Sequence, residues 1–155
     1  MTLLTPSLRL AALLASVASA LYMTGVIWTV QLVHYALFDH VGAANWRAYH
    51  AAHLQRMTWV VLAPMVIELG TSGLLVLAPP MGASRPPLVA GLVLTALAWA
   101  VTFFVSVPLH GRLSGGWDAE AGRALLMTNW CRTALWTGHA ALSLAVLWRL
   151  LRLAE

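Results

Sequence analysis

The sequence contains no lysine and a single cysteine, and charged residues make up only 9% of it. Each scarcity excludes something. The lone thiol, Cys131, rules out an intrachain disulfide, a CxxC redox pair and a Cys-rich zinc site. A small apolar position facing lipid or a packing neighbour is its expected role. A soluble domain carries about a quarter charged residues, whereas this chain is 61% hydrophobic and suits a bilayer. Its formal charge of +4 rests on nine arginines. They stand at the ends of apolar segments or inside them, never in a run. That pattern excludes a nucleic-acid patch and leaves topology signals or buried functional groups. The Glu-x-x-His motif is missing and Glu68 is the one acid deep within an apolar segment, which argues against a carboxylate-rich di-iron centre. No repeat and no low-complexity segment is present.

What the sequence does contain is four long apolar segments. They predict one all-α domain of four spanning helices over about residues 7–38, 45–77, 88–109 and 119–151. Pro6-Ser7 is a plausible start for the first. The stretch SLRLAALLASVASA resembles a signal peptide, but the apolar pattern continues through LYMTGVIWTVQLV, so an uncleaved first helix is expected. Asn45 is the expected N-cap of the second, Pro64 is expected to bend it, and its length of about 50 Å exceeds the ~30 Å hydrocarbon slab. APPMGASRPP at 78–87 and the Gly-rich HGRLSGGWD at 110–118 read as loops. Arg9, Arg85, Arg149 and Arg152 gather on one side with only Glu155 as an acid, against Arg47, Arg56, Arg112 and Arg123 on the other, a small bias. The positive-inside rule then places both termini in the cytoplasm and the loops at 39–46 and 110–118 outside.

At about 100° per residue, spacings of 3, 4, 7 and 11 return to one helical face. Asn129, Arg132, Trp136 and His139 share such a face, as do His50, His53, Met57, Val61, Pro64 and Glu68. Thr95, Trp99, Thr102, Ser106 and His110 line up on the third helix. Thr24, Trp28, Gln31, Tyr35 and Phe38 line up on the first, with His34 at the edge. Lipid offers no hydrogen bonds, so the stripes should meet in a polar, histidine-containing interior of a four-helix bundle. There Glu68 and the other polar groups would pair with Arg132 and His139, which otherwise cost about 3 kcal/mol or more each at the bilayer centre. Trp46, Trp117 and Trp148 fit interfacial belts.

His34, His53 and His110 are expected near one level and are candidate metal ligands, for copper or iron in preference to zinc, or axial ligands of haem b. His40 and His50 stay open between ligand and headgroup-facing residue. Glu68, Arg132 and Asn129 are the candidate catalytic groups, and Gln31, Trp136 and His139 are candidates for binding the cofactor. The function expected is a membrane oxidoreductase or oxygenase acting on a lipophilic substrate, with its site open to the non-cytoplasmic side. Two alternatives stand beside it: a proton relay or small-solute path through Glu68, His139 and Arg132, and a structural or assembly subunit. The sequence leaves a homo-oligomer or a membrane redox partner open.

The patterns QLVHYALFDHVG, YHAAHLQR, APMVIELG, VPLHGRL and TNWCRTALWTGH resemble a bacterial family of uncharacterised four-helix membrane proteins. More loosely, the chain resembles the anthrone-oxygenase-like family, small four-helix proteins with a late Asn-x-x-Arg-type element. The resemblance implies a bacterial inner-membrane protein and an oxygenase acting on a hydrophobic, aromatic substrate. It would assign roles to His53, Arg56, Glu68, His110, Asn129 and Arg132, with Arg56 beside the cofactor.

Overall fold

The computed structural model describes residues 4–153. It is all-α, with four long helices, each long and apolar enough to cross a membrane: α1 (Pro6–His40), α2 (Ala43–Leu77), α3 (Arg85–Ser114) and α4 (Ala119–Arg152). Four crossings make it a multi-pass membrane protein and return both ends of the described chain to the same side. Glu155, counted above as the acid of that side, lies outside the described residues.

The helix ends follow local chemistry. Thr5 caps α1 by accepting from the Leu8 N–H at 3.3 Å, and Pro6 occupies the first turn, where its missing N–H costs nothing. The connection between α1 and α2 is shorter than expected. Gly42, at φ 76°, reverses the chain in the left-handed region, so α2 begins at Ala43 and Asn45 lies inside it. At the far end α3 continues to Ser114, five residues into the segment expected to be a loop. Asp118 then caps α4, accepting from the Glu120 and Ala121 N–H groups at 3.0 Å each.

Each helix packs on the two that neighbour it, α1 on α2 and α4, α3 on α2 and α4, while the diagonal pairs α1/α3 and α2/α4 make no close backbone approach among the described residues. The result is an open square whose centre is filled by side chains. Toward the α1–α2 and α3–α4 connections the core holds Met23, Ile27, Phe38, Trp46, Leu125 and Trp136. Toward the α2–α3 connection it holds Leu13, Val17, Leu75, Leu88 and Val146. Trp59, Leu62, Val66, Phe104 and Met127 face outward, as residues in contact with lipid do.

Two helices each carry a widened π-helical turn, Val30–His34 in α1 and Thr102–Ser106 in α3. In α1 the buried stripe runs Ala20, Met23, Ile27, Val30 and then resumes at Gln31, Tyr35 and Phe38. The extra residue of the π turn shifts the register by one. That is why Trp28, expected on the inner face, is 39% exposed. In α3 the π turn precedes Pro108, whose ring would clash with the carbonyl four residues back in a regular helix. The α1 turn has no such signal in its sequence.

Candidate functional site

Polar side chains span both open diagonals. Across α1/α3, Tyr35 Oη lies 2.9 Å from His110 Nε2. Across α2/α4, the Trp136 indole N–H donates to Glu68 Oε2 at 2.8 Å, and His139 Nε2 is 3.5 Å from Glu68 Oε1. The first contact lies in the half of the bundle nearer the α1–α2 and α3–α4 connections, the second deeper.

The histidine cluster is built from residues three and four apart on α2 and from the end of α3. His50 Nε2 and His110 Nδ1 stand 3.0 Å apart, so both ring nitrogens of His110 are engaged. The ring centres of His50 and His110 are 5.3 Å apart, those of His53 and His110 5.8 Å, and those of His50 and His53 6.4 Å. Trp46 stacks on His50 at 5.3 Å and donates its N–H to the Leu113 carbonyl at 2.7 Å. With Phe38 it roofs the cluster; both are 1% exposed. Trp46 is therefore a core residue rather than a headgroup-facing one.

Beneath that roof is a chamber of about 150 Å³ bordered by Tyr35, His53, Thr102, Ser106, His110 and Arg132. Thr102 and Ser106 come from one π turn, and Val30, also on its wall, from the other. Such turns recur at functional sites. Exposed Thr58 and Val107 also line it, so it reaches the lipid-facing surface between α2 and α3. A larger hollow of about 460 Å³ lies between α1 and α2 and shares Val26, Val30 and Met57 with the chamber. Both openings are lateral.

Arg132 donates from Nη1 to Ser106 Oγ at 3.2 Å and lies 5.2 Å from the Trp136 ring centre. The expected ion pair with Glu68 is not formed. Trp136 stands between them, carrying the guanidinium on its face while its N–H holds the carboxylate. Glu68 is left with Trp136 and His139 as neighbours.

Most of the predicted site residues thus fall into three places. His53, His110 and Arg132 border the chamber. Glu68, Trp136 and His139 form the deeper group. Gln31 and Asn129 bond to each other across α1/α4, Asn129 Nδ2 donating to Gln31 Oε1 at 2.9 Å, and Gln31 donates on to the Leu126 carbonyl. His34 lines the lateral hollow instead of the chamber, with its ring 5.6 Å from His53. Arg56 and His40 are exposed, the latter 2.7 Å from Asp39. Sequence reasoning passed over Tyr35 and Ser106 as site residues, although both sat on the stripes. It also left His50 undecided; its i, i+3 spacing to His53 was the available signal.

Among the described residues no three His, Cys, Asp or Glu side chains converge on one metal-sized position. A pair does come close. Two nitrogen ligands about 2.1 Å from one ion, at roughly a right angle, stand about 3 Å apart, which is the His50–His110 separation. The chamber is about as large as a cavity that holds one benzene ring, and a porphyrin does not fit it.

The four-helix topology implied by the sequence resemblance is present. No family model matches the chain, and no curated protein or solved structure matches it.

Proposed function

We propose that the protein is a membrane-embedded oxidoreductase whose lipophilic substrate enters its chamber sideways from the bilayer. A copper or iron ion would be held by His50 and His110, the two imidazoles at ligand spacing. The observation that carries this reading is an imidazole pair at ligand spacing, one member of which, His110, borders a chamber that reaches the lipid-facing surface. Imidazole suits both metals, and a bound ion would supply the electron transfer. The chain's own residues do the rest. Tyr35, hydrogen-bonded to His110, offers a proton at Oη. Arg132 favours negative charge on whatever occupies the chamber. Phe38 and Trp46 keep water from the roof. The setting is a bacterial inner membrane, with both termini cytoplasmic and the histidine cluster in the outer half.

The relay reading is weaker for a geometric reason. The link between the chamber and the Glu68–His139 pair runs through Trp136, and an indole N–H donates but cannot accept a proton.

Elemental analysis of protein purified in neutral detergent without chelator tests the proposal. About one copper or iron per chain is expected. His50→Ala and His110→Ala should each lose most of it, while His40→Ala, at an exposed position, keeps it. Metal-free protein, or metal retained in both variants, would overturn the assignment.

A further inference from the structure

Arg132 is 7% exposed, and its Nε is buried without a hydrogen-bond partner. The ion pairs among the described residues are His40–Asp39, Arg112–Asp118, Arg112–Glu120 and His139–Glu68; none involves Arg132. A guanidinium keeps its charge inside proteins. An unpaired one in lipid is costly, and such groups mark ligand or ion sites. This one borders the chamber with only neutral neighbours for its charge, Ser106 on Nη1 and the Tyr35 hydroxyl beside it.

The chamber continues sideways. It shares Val26, Val30 and Met57 with the hollow between α1 and α2, whose other walls include exposed Leu21, Tyr22 and Val60. Gly25 sits in that hollow, and a Cβ built there meets nothing within 4 Å. A cationic end and an apolar trough therefore lie in sequence along one path from the bundle centre to the lipid.

We infer that the site takes a lipophilic carboxylate, its head group paired with Arg132 in the chamber and its apolar chain in the trough between α1 and α2. This rests on the proposal that the chamber receives its substrate from the bilayer, and it adds the substrate's charge and shape. The planar fork of Arg matches a carboxylate, with two N–H groups available per pair of oxygens. The chamber admits a head of about one ring's volume and little more. The rest of a long molecule must lie outside it, and the trough is the larger of the two hollows.

Equilibrium binding in neutral detergent, after chelation, tests this apart from the metal. The probes are palmitate, hexadecanol of the same chain length, and phosphatidylglycerol. The wild-type protein should bind palmitate at least tenfold more tightly than hexadecanol. Arg132→Gln should abolish that preference, and Arg132→Lys should keep part of it. Gly25→Phe, which fills the trough without a backbone clash, should weaken palmitate at least tenfold with Arg132 intact. Equal binding of acid and alcohol by wild type overturns the inference, as does an unchanged preference in Arg132→Gln. Unchanged palmitate binding in Gly25→Phe overturns the placement of the chain, and tighter binding of phosphatidylglycerol than palmitate overturns the carboxylate. Palmitate binding by metal-free protein that never carried metal would leave this inference standing while the redox proposal fails.

Discussion

The Trp136 indole N–H donates to Glu68 Oε2 at 2.8 Å across the α2/α4 diagonal, and both side chains are fully buried. The two helices make no close backbone approach there, so these side chains close the middle of the bundle. The same indole carries Arg132 on its face. One tryptophan therefore holds an acid and a base apart while contacting both.

Trp136→Phe separates those two duties. The ring remains for Arg132, but a Glu68 oxygen loses its donor inside the bundle. A buried polar group stripped of its partner costs about 1–3 kcal/mol, more if charged. The expected result is a loss of stability of that order in detergent denaturation, with metal content and the palmitate preference retained.

Gln31 and Asn129 form a second internal link, and Asn129 is 0% exposed. Gln31→Leu or Asn129→Leu alone strands the other amide and should cost about 1–3 kcal/mol. The double variant should cost less than the sum of the two, because it removes donor and acceptor together. A double-mutant cycle by chemical denaturation reads the difference directly.

Gly122 is required by close approach. A Cβ there would stand 2.6 Å from a Trp117 ring carbon, and Trp117 in turn packs on Trp46 at 4.6 Å. Gly122→Ala must displace that ring, which packs on the roof of the chamber. Overpacking of this kind costs about 1–3 kcal/mol. The expected readouts are a lower melting temperature and a changed tryptophan emission spectrum.

Asp118 sets an acid limit outside the spans. The Ala121 N–H, then the Arg112 guanidinium, hold its carboxyl below the ordinary carboxylate range. A depressed carboxyl stabilises the fold above its unfolded value of about 4 and loses that contribution as pH falls through the folded value. Wild type should therefore melt higher than Asp118→Asn at neutral pH, and the gap should close below about pH 4. Melting curves of both proteins across that range test the sign.

Much of this was legible beforehand. The face carrying Asn129, Arg132, Trp136 and His139 is buried as a unit in α4, because a regular helix keeps the phase that spacing implies. His50, His53 and Glu68 hold their face on α2 for the same reason, even with Pro64 between them. The α1 stripe keeps Gln31, Tyr35 and Phe38 buried as their spacing implies, but Trp28 falls out of phase with them, because the π turn inserts a residue where VQLVH shows no breaker. Arg56 is three residues from His53 but six from His50, so it sits at the margin of the stripe and is exposed, which a linear motif does not reveal.

The sequence by itself determined that this chain enters a bilayer as four helices with their polar stripes turned inward, because lipid supplies no hydrogen bonds and each backbone must satisfy its own. Only the tertiary structure decided who meets whom at the centre. Partner choice there depends on which diagonal a side chain is long enough to cross, and Trp136 reaches Glu68 before Arg132 can. Arg132 is thereby left beside a chamber without a counter-charge, a consequence of three-dimensional packing that no spacing of residues along the chain contains.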